Sequence, residues 1–281
     1  MCCPRIIFSG VVVLLWMQRA ALADPILLDD FSTNLTLSNV QFFALNADGS
    51  INPTGSTSGS AISNLFKRVQ LAPGNMARWN DGSIASPAAG VLGGVRSVEI
   101  RNGTSSNQTS NFKIFNGVME VDSPSANMLC LSCLMYDFGS SPKDFSSVGT
   151  ILLDFTNFDQ SARSHVRLSV YISDGVNTAS GVIDTSTAVV GLNRFYLMGL
   201  NRWDWVNKSS VRSVRLDFTT VNPGVDFKLT SVAFSHAPEP STFGVIALIL
   251  GIPTGFRALR ERRKWKLGGL LSSAGNLNAV S

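Results

Sequence analysis

The sequence predicts an all-β fold, an antiparallel, jelly-roll-like β-sandwich, for residues 24–236 of a 281-residue chain. Short stretches alternate apolar and polar residues with period two, the pattern of a half-buried strand. Turn-rich loops such as NADGSINPTGSTSGS and NGTSSNQTSN separate them. The region is rich in Ser, Thr, Asn and Gly and poor in Glu and Lys, which disfavours helix.

Taken in order, Ile26–Phe31, Leu65–Leu71, Val95–Arg101, Phe112–Val121, Met128–Phe138 and Thr150–Phe155 read as short strands. HVRLSVYISDG sets Val166, Leu168, Val170 and Ile172 on one face, with Arg167, Ser169 and Tyr171 on the other. Phe195–Leu200 is a further strand. VRSVRLDFT sends Val214, Leu216 and Phe218 inward and Arg215 and Asp217 outward. DFKLTSVAF changes parity midway, from Phe227 and Leu229 to Val232 and Phe234, so a bulge is expected near Thr230-Ser231. About ten strands and no amphipathic helix fit a sandwich. SSVGTILLDFT (146–156) and SSVRSVRLDFT (209–219) echo one another, as strand entries at equivalent places in two halves would. The arrangement opening on LLDDF and closing on GVDFKLTSVAF loosely resembles galactose-binding-like jelly rolls of exported bacterial proteins.

The two ends read as targeting segments. Met1–Arg5 is basic, Ile6–Met17 is an apolar run of 12 residues, and Ala21 and Ala23 form an A-x-A site before Asp24. Residues 1–23 are therefore expected to be a cleaved secretory signal peptide, delivered through the Sec machinery. At the other end, Thr242–Phe256 carries no charge and is followed by RALRERRKWK, with six basic residues against one acidic. That order predicts a short transmembrane helix over 242–256 with its basic flank held on the cytoplasmic side. Pro238-Glu239-Pro240 lies just before it, extended and open to a processing enzyme. Residues 237–266 resemble the PEP-CTERM sorting signal of bacterial exported proteins. The resemblance implies recognition by an exosortase, transient anchoring in the inner membrane, and a final place in the cell envelope or outside it, among exopolysaccharide and biofilm matrix. Pro253 within the apolar run and the uncharged tail 267–281, expected to be disordered, depart from the usual pattern.

The chain's formal charge is +4, but residues 24–236 hold 15 basic and 17 acidic residues, a net of −2. The basic balance belongs to the ends, so nucleic acid is not an expected partner. Nor does the region suggest an enzyme. Its two glutamates, Glu99 and Glu120, lack a motif partner, whereas glycosidases need paired carboxylates. Asp154 and Asp217 suit the polar faces of their strands. His165 and His236 stand without a G-x-S-x-G, and no metal site or resident cofactor is expected. Calcium is conceivable at Asp29-Asp30 or Asp48-Gly49-Ser50, with loop solvation the default. Cys130 and Cys133 leave a disulfide and two buried thiols both open, the disulfide needing a local turn. Trp203 and Trp205 would share one strand face, as a glycan-stacking platform or packed in the core. Asn34, Asn102, Asn107 and Asn207 open N-x-S/T sequons and read as polar loop positions. The expected role is a non-enzymatic surface or matrix protein, with a carbohydrate-binding module as the alternative and a surface hydrolase third.

Overall fold

A computed structural model describes residues 25–57, 59–65, 67–83, 86–103, 108–123, 130–158, 166–220 and 225–236. Ala21, Ala23, the Pro238-Glu239-Pro240 motif, the 242–256 segment, the basic cluster, the 267–281 tail, Asn107 and His165 lie outside the described residues. Among the described residues no helix is long and apolar enough to cross a membrane. The chain divides into two compact units, Met1–Ala237 and Pro238–Ser281, and the described residues all belong to the first.

The strands in chain order are β1 (Ile26–Asp29), β2 (Gln41–Leu45), β3 (Ile51–Asn52), β4 (Ala61–Ser63), β5 (Arg68–Leu71), β6 (Asn75–Asp81), β7 (Arg96–Asn102) and β8 (Ser110–Phe115). They continue as β9 (Val118–Ser123), β10 (Cys130–Asp137), β11 (Val148–Phe158), β12 (Val166–Ser173), β13 (Thr178–Asp184), β14 (Gly191–Tyr196), β15 (Ser213–Thr220) and β16 (Val225–His236). They form two eight-stranded sheets. Sheet one runs β14-β11-β16-β9-β8-β5-β4, with β1 also on β16; sheet two runs β13-β12-β15-β10-β7-β6-β2-β3. Every strand pair is antiparallel.

Inward residues of both sheets merge into one apolar cluster, and ring contacts cross between the layers. Trp79 of β6 meets Phe112 of β8 edge-on, with centroids 5.6 Å apart. Phe218 of β15 lies 5.3 Å from Phe227 of β16. The alternation read in β12 and β15 holds, with Val166, Leu168, Val170, Ile172, Val214, Leu216 and Phe218 all buried.

The anticipated bulge is present. Ser231 pairs with Asp154 and Leu229 with Phe155, which leaves Thr230 unpaired in the ladder, and its hydroxyl donates to the Asp154 carbonyl at 3.1 Å. The echoed segments enter different sheets as β11 and β15. Each buries its Leu and Phe, Leu153 with Phe155 and Leu216 with Phe218.

The structure corrects the expected strand count and several boundaries. Phe112–Val121 is two strands, folded about Asn116-Gly117 with φ of 53° and 76°, the backbone that a two-residue type I′ hairpin turn requires. Phe195–Leu200 is a strand only to Tyr196, and Leu197–Gly199 is a 3-10 turn.

A polar cluster sits where β1 meets sheet two. Arg96, Asp29 and Asp81 have fully buried side chains. Arg96 Nη1 donates to both Asp29 oxygens at 2.8 and 3.0 Å. Its Nε and Nη2 donate to Asp81 Oδ2 at 3.2 and 3.0 Å, and Nη2 also reaches the Thr33 carbonyl at 2.8 Å. Tyr136 donates its hydroxyl to Asp29 at 2.9 Å and Trp79 its indole N–H to Asp81 at 3.3 Å. Burial and the neighbouring Asp29 push the Tyr136 phenol well up, which keeps it a donor. The carboxylates also accept the Phe31 and Thr36 amides at 2.8 Å each. Phe31 is itself buried, at φ 54°, with the Arg96 guanidinium 5.8 Å over its ring.

Candidate functional site

The outer face of sheet two carries a dense array of ion-paired polar side chains. Strand alternation sends Trp79, Val98, Ile100, Leu134 and Leu216 inward, and therefore turns Arg78, Asn80, Ser97, Glu99, Cys133, Met135, Arg215 and Asp217 outward. Pairing aligns them into two rows. One is Asn80, Ser97, Met135, Arg215, Tyr171 and Ser180. The other is Gln41, Arg78, Glu99, Cys133, Asp217, Ser169 and Val182.

Between these rows lies a cleft of about 320 Å³, lined by Arg78, Asn80, Ser97, Val98, Glu99, Cys133, Met135 and Arg215. Asn80 also borders two neighbouring clefts. One, of about 460 Å³, runs toward Ser38–Gln41. The other, of about 530 Å³, runs toward Pro87, Phe138 and Lys143. All three have Asn80 in their lining, and the groove is this row of adjoining clefts.

Its charges are held rigidly. Arg78 donates Nε and Nη2 to Glu99 Oε2 at 3.1 and 2.6 Å. Arg101 donates Nε to Glu99 Oε1 at 2.8 Å and Nη1 to the Gly49 carbonyl at 3.1 Å. Burial works against ionised Glu99, but hydrogen bonds from Arg78 and Arg101 outweigh it and hold the carboxyl below the usual range. Arg215 grips Asp217 through Nε at 2.7 Å and Nη2 at 3.0 Å, and that grip raises the guanidinium further. The Arg215 guanidinium also lies 5.7 Å over the Tyr171 ring. Pinned donors beside the apolar Val98 and Met135 of the lining suit a ligand with hydroxyls and C–H faces.

Two sequence expectations are corrected here, and the open choice at the cysteines is narrowed. Trp203 and Trp205 do not share a strand face: they flank Asp204 in a 3-10 turn that follows Arg202 at φ 61°. Trp203 is buried with Lys208 Nζ 4.9 Å above its ring. Trp205 is exposed, with Arg202 5.4 Å over its ring. Cys133 is a free, buried thiol, pushed up foremost by burial and then by Asp217. β10 keeps unbroken register from Cys130 to Asp137, so the local turn that a Cys130–Cys133 disulfide requires is absent. Asn102 is no loop position but a buried strand residue whose amide donates to the Leu71 and Gln108 carbonyls.

The calcium candidates have other partners. Asp29 serves Arg96, and Asp48 accepts the Ser50 amide at 2.9 Å and its hydroxyl at 2.6 Å. Among the described residues no group of three or more acidic, His or Cys side chains could hold a metal ion. Glu120 binds Lys113 at 2.7 Å and Lys228 at 3.4 Å. The groove arginines were not anticipated as a site. Arg78 and Glu99 stand 21 residues apart, and only strand pairing brings them together.

No protein-family model and no curated protein matches the chain. Among solved structures, the chain is similar to PfGH50B at 13% identity and TM-score 0.31, over 50% of this chain and 22% of that one. It thus spans about a fifth of that protein's length. A family 28 carbohydrate-binding module specific for non-crystalline cellulose matches at 12% identity and TM-score 0.27, over 49% of this chain and 82% of its own. The family 11 carbohydrate-binding module of a Clostridium thermocellum cellulosomal cellulase matches at 9% identity and TM-score 0.27, over 59% and 90%.

Proposed function

We propose that the chain is an exported β-sandwich that binds carbohydrate in the groove on the outer face of sheet two. The observation that carries this reading is the pinned Arg78–Glu99–Arg101 and Arg215–Asp217 array around a cleft whose lining includes Ser97 and Met135. Guanidinium and carboxylate groups fixed before binding lose little freedom when they take up sugar hydroxyls, and Met135 and Tyr171 offer apolar contact. Binding is favoured over hydrolysis, because a glycosidase needs a carboxyl raised enough to donate a proton and Glu99 is held the other way.

Titration of the full chain with oligosaccharide panels tests this. Ser97→Tyr, which fills the cleft, should weaken binding by roughly ten- to hundredfold, while Trp205→Ala should leave it unchanged. The reverse pattern would place the site elsewhere.

The signal peptide and the resemblance at residues 237–266 support delivery to the envelope as an exosortase substrate, with exopolysaccharide as the glycan at hand. Intact mass of the mature protein from its host is expected to show a C-terminus near Pro238–Thr242. Retention of residues 243–281 in the inner membrane would instead make 242–256 an ordinary anchor.

A further inference from the structure

We infer that the groove reads negative charge, and that its ligand is an acidic polysaccharide whose carboxylates are taken by Arg78 and Arg215. This inference rests on the carbohydrate-binding reading above and names the class of glycan.

Three guanidiniums on this face, Arg78, Arg101 and Arg215, face two carboxylates, Glu99 and Asp217. Arg101 is engaged at every nitrogen, by Glu99 and by the Gly49 carbonyl. Arg78 and Arg215 differ. Each binds its carboxylate through Nε and Nη2, which leaves Nη1 without a partner among the described residues. Both border the same cleft, and their side chains are 49% and 42% exposed, so these free donors stand at its rim.

The donors are oriented as well as free. With two of three nitrogens tied, each guanidinium plane is fixed, and a carboxylate arriving at Nη1 meets a donor that needs no reordering. Glu99 and Asp217 hold the arginines without cancelling their charge, because one guanidinium remains in excess. The attraction is local. Residues 24–236 carry a net charge of −2, so this region as a whole does not attract polyanions, and within it a bound acidic glycan is drawn to this face; the basic cluster at 257–266 is the chain's other attraction, and weakened binding in Arg78→Gln separates the two. Neutral sugars would make no use of the uncancelled charge.

The test uses the full chain and three probes: polygalacturonate, the same polymer fully methyl-esterified, and dextran. Polygalacturonate should bind, and esterification, which keeps the sugar backbone and removes the charge, should weaken binding roughly ten- to hundredfold. Arg78→Gln should weaken polygalacturonate about tenfold with an unchanged melting curve, since Arg101 still holds Glu99. Equal binding of the esterified polymer or of dextran would overturn the acidic-glycan inference and leave carbohydrate binding intact. Binding of none of the three, with none in the oligosaccharide panel, would remove the reading on which it rests. Full affinity in Arg78→Gln, or equally tight single-stranded DNA at 150 mM salt, would also overturn it.

Discussion

Arg96→Ala is expected to cost about 3–5 kcal/mol, the usual penalty for removing one partner of a buried ion pair. The side chain makes contacts with all of its donor capacity: Nε and Nη2 to Asp81, Nη1 to both oxygens of Asp29, and Nη2 to the Thr33 carbonyl. Without it, two fully buried carboxylates face one another with no cation. Arg96→Lys should recover little, because a lysine offers three donors and no planar fork. A buried ion pair can often be replaced by apolar residues at no loss, but these carboxylates also accept the Phe31 and Thr36 amides. The triple variant Asp29→Leu/Asp81→Leu/Arg96→Met is therefore expected to stay destabilised, as both amides lose their partners. Each kcal/mol should lower the midpoint of a thermal melt by about 2–4 °C for a domain of this size. A triple variant that melts like the wild type would show that the cluster does not anchor the 30–36 segment.

The strands legible in the sequence were those with one face in the core and one in solvent. β12 and β15 kept strict alternation because Leu168, Val170, Leu216 and Phe218 point into the sandwich while Arg167, Ser169, Arg215 and Asp217 point away. The Thr230 bulge was readable for the same reason, since a parity change within an apolar strand has few other outlets. β6 was not legible. Asn75, Met76 and Ala77 are all buried, which erases period two over its first half. β13 is an edge strand with Gly181 in its middle, where a Cβ would stand 2.8 Å from Leu200 Cδ2, and this crowded point carries the residue least typical of a strand.

The site was less legible than the fold. Its members come from β6, β7, β10 and β15, and nothing local marks Arg78 or Arg215 as neighbours of one cleft. Both arginines of Glu99 arrive by geometry: Arg101 from two residues along its own strand face, Arg78 from across the pair. The same holds for Asp29. A D-D pair at a strand end suggests an exposed cation site, until a fully buried arginine 67 residues away takes the first aspartate.

The tryptophans were misread because W-D-W has strand parity, whereas Arg202 at φ 61° starts a tight turn instead. That turn separates their roles, and the separation has a large expected effect. Trp203 is 7% exposed and belongs to the core cluster. Trp203→Ala should cost about 3–5 kcal/mol, through lost burial and the cavity left behind. Lys208, 4.9 Å above the ring, loses its aromatic partner too. Trp205 is 65% exposed, and its Arg202 contact at 5.4 Å contributes only about 0.5–1 kcal/mol at such a site. Urea unfolding of the two alanine variants should therefore differ by about 2–4 kcal/mol, with similar slopes if the same surface is exposed on unfolding. Equal midpoints would return both residues to one environment, as a shared strand face requires. A difference of the expected size would assign Trp203 to stability alone. Loss of sugar binding in Trp203→Ala would then report loss of fold, and the groove variants become the ones that can report on recognition.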